Sequence, residues 1–285
     1  MDKSAPVPKS SLIEGCSVAV RLATLPDIAR IARVAVDSLP DDPTFDYLWS
    51  YRHKYPEDNY FFWQQTLKQR LFHPRFTLLV ATLNTSPFPT RTSEKARQYA
   101  VDPSPAKQVE TIIAFGLWER NGHSRAARKR CRKRNTFYNQ LHRKLLSFTR
   151  NPSLTLTTGC LTWVETWALT RQYSRRNANL AHLSAFGEVM DSVHQELWAD
   201  RYPENFHLDL LCTFPDFRRR GAGTALTRWG IEAATREGAI VGVESSLMGV
   251  ALYERLGFGF LCERTVHVDG DDETLPVKIM VYIPG

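Results

Sequence analysis

Apolar positions along this chain change their spacing several times, and each change marks an element. Residues 17–22 alternate in the manner of a strand, and residues 26–38 follow at helical spacing, with Pro26 at the start and Asp27 in the first turn. Residues 41–45 read as a turn around Pro43. Residues 59–72 carry Phe61, Phe62, Trp63, Leu67 and Leu71 and predict a second helix whose aromatics serve the core. Strands are expected over 76–83 and 109–118. Between them, residues 84–108 are rich in Pro, Ser and Thr without periodicity, which predicts a long mobile loop. Residues 121–146 are polar and basic, with helical spacing around 139–146. Residues 151–173 fit two readings: Trp163 and Trp167 share a helix face at i, i+4, or the Thr-rich stretch is extended. Residues 180–198 predict a helix with Leu180, Leu183, Phe186, Met190, Val193 and Leu197 on one stripe. Two strands, 258–268 and 277–283, close the chain around the acidic turn 269–273.

Between that long helix and the last strands lies the stretch most suited to chemistry. A strand ending at Thr213 leads through a proline turn and three arginines, Arg218, Arg219 and Arg220, to Gly221-Ala222-Gly223-Thr224. A helix follows, with Ala222, Leu226, Trp229, Ala233 and Ala234 in register until Gly238. The first turn of a helix has unpaired N–H groups and partial positive charge, and glycines let an anion approach them, so this stretch suits a pyrophosphate. A P-loop is excluded because GxxxxGK[ST] is missing. A dinucleotide fold is disfavoured even though Glu244 stands near the place of a ribose-binding acid. Leu226 occupies the position of a third glycine, and only 64 residues remain after Gly221.

Size and charge bound the rest. At 285 residues and 43% hydrophobic content the chain suits one α/β domain with long insertions, residues 17–285, behind a loose tail, 1–16. Runs of about 18 apolar residues are missing, as is an apolar leader in 1–15, so a cytoplasmic protein without a membrane partner is expected. The 5 cysteines are odd in number and scattered, which suits a reducing compartment and predicts no structural metal. The net charge of +7 is local: residues 120–150 hold 11 Lys or Arg and no acid. That insertion within the domain reads as a solvated surface dispensable for the chemistry. The run 128–134 serves, in other readings, as a nuclear-import signal or an anionic-partner contact.

The spacing Arg218-x-x-Gly221-x-Gly223, with Ala251-Leu252-Tyr253-Glu254-Arg255-Leu256-Gly257-Phe258 about thirty residues on, resembles the GNAT superfamily of acyl-CoA N-acyltransferases. Residues 243–253 are similar to members common in filamentous fungi, which have alanine for Ser245 and proline for Leu247. The resemblance is specific over 205–262 and weaker over 18–48. It implies one mixed α/β sheet, splayed where the coenzyme enters, and acetyl-CoA as cosubstrate. By the same resemblance the backbone of Arg219 to Thr224 wraps the pyrophosphate with arginine help, and Leu211 and Thr213 pair with the pantetheine arm. Ser246 and Gly249 line the coenzyme's other side, and Tyr253 protonates the departing thiolate.

An amine must lose a proton before it attacks a thioester, so a base is needed. Strand alternation places His207, Asp209, Leu211 and Thr213 on one face, beside the coenzyme, and His207 and Asp209 occupy the family's positions for a base. An imidazole titrating near 6.5 suits that role, and Asp209 would orient it or replace it. Cys212 has the opposite parity and is expected to face the core, so direct attack on the thioester is favoured over an acyl-enzyme. The expected function is acetyl transfer to a primary amine of a small molecule. Alternatives are a protein lysine or N-terminal acetyltransferase, and a nucleic-acid or chromatin-associated protein with a degenerate core.

Overall fold

The computed structural model describes residues 11–13, 16–39, 42–85, 109–148 and 176–285. Eight strands form one open mixed sheet in the order β1-β2-β3-β4-β5-β6-β8-β7. They are β1 (Ser11–Ile13), β2 (Cys16–Leu22), β3 (Phe76–Thr85), β4 (Val109–Asn121), β5 (Asn205–Thr213), β6 (Ile240–Ser245), β7 (Gly259–His267) and β8 (Thr274–Tyr282). All neighbours are antiparallel except β5 and β6, which are parallel and joined through a helix. The expected α/β class and mixed sheet are what the chain adopts.

Helices cover both faces. Helix α1 (Ile28–Ser38) buries Ile28, Ile31, Ala32 and Ala35, an i, i+3, i+4, i+7 stripe, with Val34 buried beside it. It packs with α2 (Pro43–Leu48) and α3 (Pro56–Phe72) over Phe115, Leu117 and Cys212. After α4 (Arg125–Arg134), α5 (Phe137–Phe148) and α6 (Leu180–Val193), helix α7 (Ala222–Glu237) covers the opposite face. It buries Ala222, Leu226, Trp229, Ala233 and Ala234 against Trp118, Phe206, Leu208 and Val241, and ends at Gly238 with φ 63°. Trp118 lies so close over α7 that a Cβ at Gly230 would stand 2.2 Å from its ring. A last short helix, α8 (Val250–Arg255), links β6 to β7.

Several expectations change. Where a turn is expected over 41–45, the described residues 42–45 enter a helix: Pro43 starts α2, because Asp42 accepts a 3.0 Å bond from Thr44 N–H and caps it. Part of the expected tail, Ser11–Ile13, is a strand that satisfies the edge of β2. The helix expected over 180–198 is α6 followed by a π-helical turn, His194–Arg201. Leu180 is 65% exposed and lies off the buried stripe. Asn84 and Thr85 belong to β3, whereas the remainder of the predicted loop, the 151–173 segment and residues 1–10 lie outside the described residues.

The basic insertion is bolted to the domain rather than set apart from it. Arg120 belongs to β4, is buried, and pairs with Glu204 at 2.8 Å and Glu237 at 2.9 Å. Arg130 bonds the same Glu237 at 2.8 Å, and Ala127 is buried. Glu204 also receives the N–H groups of His123 and Ser124, at the start of α4. Repulsion among these cations is therefore met by two acids that lie far away in sequence. The outward residues Arg125, Arg128, Lys129 and Arg132 remain exposed.

Candidate functional site

The pairing of β5 with β6 stops after His207 opposite Gly242. From there β5 has no strand on that side, and the sheet splays open. A cavity of about 610 Å³ fills the gap. It is lined at one end by the turn from Arg218 to Thr224 and at the other by His207, Asp209, Glu244 and Tyr253.

The turn end is built for an anion. Arg219 has φ 60° and Gly221 φ 84°, so the backbone curls in left-handed steps into the first turn of α7. The first intrahelical bond there is from Ala225 N–H to the Gly221 carbonyl, which leaves the N–H groups of Ala222, Gly223 and Thr224 free for a ligand. A Cβ at Gly223 would meet Leu252 at 3.4 Å and sit near Leu211 and Thr213, closing the channel between helix and strand. Orphan donors, a cradle that a side chain would fill and an open strand edge together fit a pyrophosphate with an amide-bearing arm. The arginines divide the work. Arg218 donates to the Ser38 carbonyl at 2.6 Å and holds the end of α1 beside the cavity, Arg219 lines the cavity, and Arg220 stacks over Phe217.

On the opposite wall, Ser246 and Gly249 form the turn between β6 and α8, with Gly249 N–H donating to the Ser246 carbonyl at 3.0 Å. Gly249 leaves room for Tyr253: a Cβ there would lie 2.9 Å from the tyrosine ring. Tyr253 is 5% exposed, and burial raises its pKa, so its hydroxyl stays protonated and available as a donor.

The expected alternation along β5 fails at one residue. Leu117 pairs with Leu210 but Trp118 with Leu208, so Asp209 is an extra residue without a partner on β4. This bulge reverses parity beyond it. Leu211 joins Phe206 and Leu208 on the α7 face, whereas Leu210 and Cys212 face α1 to α3. His207 therefore does not share a face with Leu211 and Thr213, although all of them line the cavity. Cys212 is buried as expected, and burial pushes its thiol up to about 12, which leaves it a poor nucleophile at neutral pH.

His207 is fully enclosed, and its Nε2 lies 2.5 Å from Glu244 Oε2. Burial works against a charged imidazole, but the Glu244 carboxylate outweighs it, with help from Asp209 and Glu119, and raises the pKa to about 9. The same pair, together with His194, holds Glu244 well below the usual carboxylate range despite its burial. Trp198 Nε1 donates to Glu244 Oε1 at 2.5 Å, and His194 Nε2 lies 3.7 Å from that oxygen. The π turn brings His194 and Trp198 to one carboxylate. Donor atoms of His194, His207 and Glu244 lie within 4.8 Å of one another. His207 and Glu244 meet there as a hydrogen-bonded pair.

Sequence reasoning missed Glu244 and His194 as members of this site. Glu244 is the penultimate residue of β6 and resembles a ribose-binding acid by its place at a strand's end, and His194 falls within a predicted helix without a motif around it. Beyond them, Phe45, Trp49, Trp63 and Phe186 with Asp42 and Asp191 form the remaining wall.

Comparisons with known proteins bear on this region. Residues 197–272 match the model of the acetyltransferase (GNAT) domain. A Stachybotrys chartarum protein named acetyltransferase is 24% identical over 264 residues, spanning 92% of this chain and 90% of that protein. Among solved structures, a Corynebacterium glutamicum protein described as histone acetyltransferase HPA2 and related acetyltransferase aligns at 18% identity and TM-score 0.47, over 94% of this chain and 97% of that one. An agmatine N-acetyltransferase aligns at 12% identity and TM-score 0.49, over 93% and 98%.

Proposed function

We infer that this chain, which carries an acetyltransferase (GNAT) domain over residues 197–272, uses acetyl-CoA to acetylate a primary amine of a small molecule. The observation that carries this reading is the gap between β5 and β6, which runs from the anion cradle at Gly221 to the groups that move protons at His207 and Tyr253.

The backbone donors of Ala222 to Thr224, with Arg219, would hold the pyrophosphate, and the open edge of β5 at Leu211 and Thr213 would take the pantetheine amides. When bound, acetyl-CoA supplies the activated acetyl group. Ser246 and Gly249 bound its reactive end. The aromatic and acidic wall of Phe45, Trp49, Trp63, Asp42 and Asp191 suits a cationic amine with an apolar body, since aromatic faces and carboxylates both attract an ammonium group. Asp209, displaced into the cavity side by the bulge, orients that ammonium or removes its proton. His207 accepts a proton in its neutral form, and Tyr253 returns one to the sulfur. Both reactants are held together, so transfer is direct and Cys212 takes no part.

The test is release of free thiol from acetyl-CoA across simple amines, polyamines, arylamines, amino acids and histone peptides. Turnover with small amines and intersecting double-reciprocal lines are expected. Turnover confined to peptides would reassign the acceptor to protein lysines or N-termini. Parallel lines would restore Cys212 as an acyl carrier.

A further inference from the structure

Acetylating an ammonium releases two protons from nitrogen, and the departing thiolate takes back one, so every turnover leaves one proton to be exported. The groups around His207 form a path for it. His207 is 2% exposed and its Nδ1 has no partner, whereas its Nε2 meets Glu244 Oε2 at 2.5 Å. The other oxygen of Glu244 faces His194 at 3.7 Å, and the His194 side chain is 41% exposed. The two imidazole rings stand edge to face, 4.8 Å apart. All three residues line the cavity, and the sequence of groups leads from its enclosed wall to water.

We propose that His207 takes the acceptor's proton at Nδ1 while its Nε2 proton crosses Glu244, which holds it only in passing, to His194 and solvent. Glu244 is then the positioning residue of the base, and His194 its exit. This inference rests on the acetyl-transfer reading above. The steps balance: Nδ1–H forms as the amine N–H breaks, and Oε2–H forms as Nε2–H breaks. Rotation of the carboxyl group turns that proton from the His207 side towards His194, whose Nε2 takes it after a small swing of the exposed ring while His194 Nδ1–H goes to water. A ring flip resets His207, and proton exchange with water resets His194.

The charged and titratable groups that face His207 are Glu244 on β6, His194 on the π turn, Asp209 on β5 and Glu119 on β4. Three are acids, and they favour the imidazolium over the burial that opposes it, which raises its pKa to about 9. An alkyl ammonium loses its proton near 10, as lysine does at about 10.4, so the transfer to His207 is close to even. Rate should therefore rise with pH through about 9 and not through the ordinary imidazole value of 6.5.

Two measurements test the relay. NMR titration of the histidines in wild type and Glu244→Gln, without substrate, should show the His207 transition fall from about 9 to 6.5 or below. The rising limb of kcat/KM should move with it. Glu244→Asp keeps the charge, so it should keep the high limb at reduced kcat. His194→Ala should lower kcat about tenfold or more and recover with increasing imidazole buffer, to which wild type is indifferent. A His207 transition unmoved in folded Glu244→Gln, or a His194→Ala enzyme with wild-type kcat at every buffer concentration, overturns the relay while leaving acetyl transfer standing. Absence of turnover with every amine overturns both.

Discussion

Tyr253 is held where a single added carbon would displace it. A Cβ at Gly249 would stand 2.7 Å from Ser245 Oγ and 2.9 Å from Tyr253 Cε2, and both neighbours are buried. Gly249→Ala should therefore lower kcat by moving the ring, with little effect on the distant pyrophosphate end. Tyr253→Phe removes only the hydroxyl and should cost about 10² in kcat with acetyl-CoA affinity unchanged, as expected for loss of a proton donor. Stopped-flow binding beside steady-state rates separates the two effects, and a weakened affinity in Tyr253→Phe would deny the tyrosine that role. The arginines, glycines and Tyr253 were legible as sequence because their motif is local. The Glu244 contact with His207 was not, since it joins residues 37 apart through strand order and register.

Among the elements, those with a strong period were readable and those fixed by pairing were not. The α7 stripe follows its sequence spacing residue for residue, down to the terminating Gly238. The bulge at Asp209 leaves no trace in one strand's sequence, because it is a mismatch between two strands. It nonetheless decides which side chains share a face. The docking of α4 was likewise hidden, since its acids, Glu204 and Glu237, lie far along the chain. Arg120→Ala would take a buried guanidinium from both carboxylates, which keep Arg130 and the N–H groups of His123 and Ser124, and should destabilise the fold by about 1–3 kcal/mol in denaturant titration. Glu204 adds a pH effect. Burial opposes its charge, but bonds from Ser124, Arg120 and His123 prevail and lower its pKa from 4.5 to about 2. A depressed carboxylate contributes stability above the unfolded value that is lost as pH falls through the folded one. Stability should thus decline between about 4.5 and 2, and Glu204→Gln should flatten that decline. An unchanged acid limb would mean that the bonds at the start of α4 contribute nothing.

Taken whole, the gap between β5 and β6 and the basic helix α4 are built from separate residues, since none of Arg125–Arg134 lines the gap. No described helix is long and apolar enough to cross a membrane. Removal of residues 120–150 would take away Arg120 and Arg130 and is the wrong way to ask what the cations do. Changing Arg125, Arg128, Lys129 and Arg132 to Gln alters only outward positions of α4. That variant should keep its thermal midpoint and its turnover. If the helix meets phosphates, retention on duplex DNA should fall, with a log-log salt slope shallower by about 0.9 for each phosphate no longer neutralised. Equal retention in both proteins would assign those cations to solvent alone.

The central claim is that the turn from Arg218 to Thr224 and the splayed edge of β5 hold the coenzyme. Calorimetric titration of coenzyme A into wild type and Gly223→Val tests it without reference to any acceptor. A valine at 223 starts from a Cβ already 3.4 Å from Leu252 and extends two methyl groups into the channel beside Leu211 and Thr213. Saturable binding to the wild type and its loss in a variant of unchanged circular dichroism are expected. Equal affinity in the two proteins would contradict it.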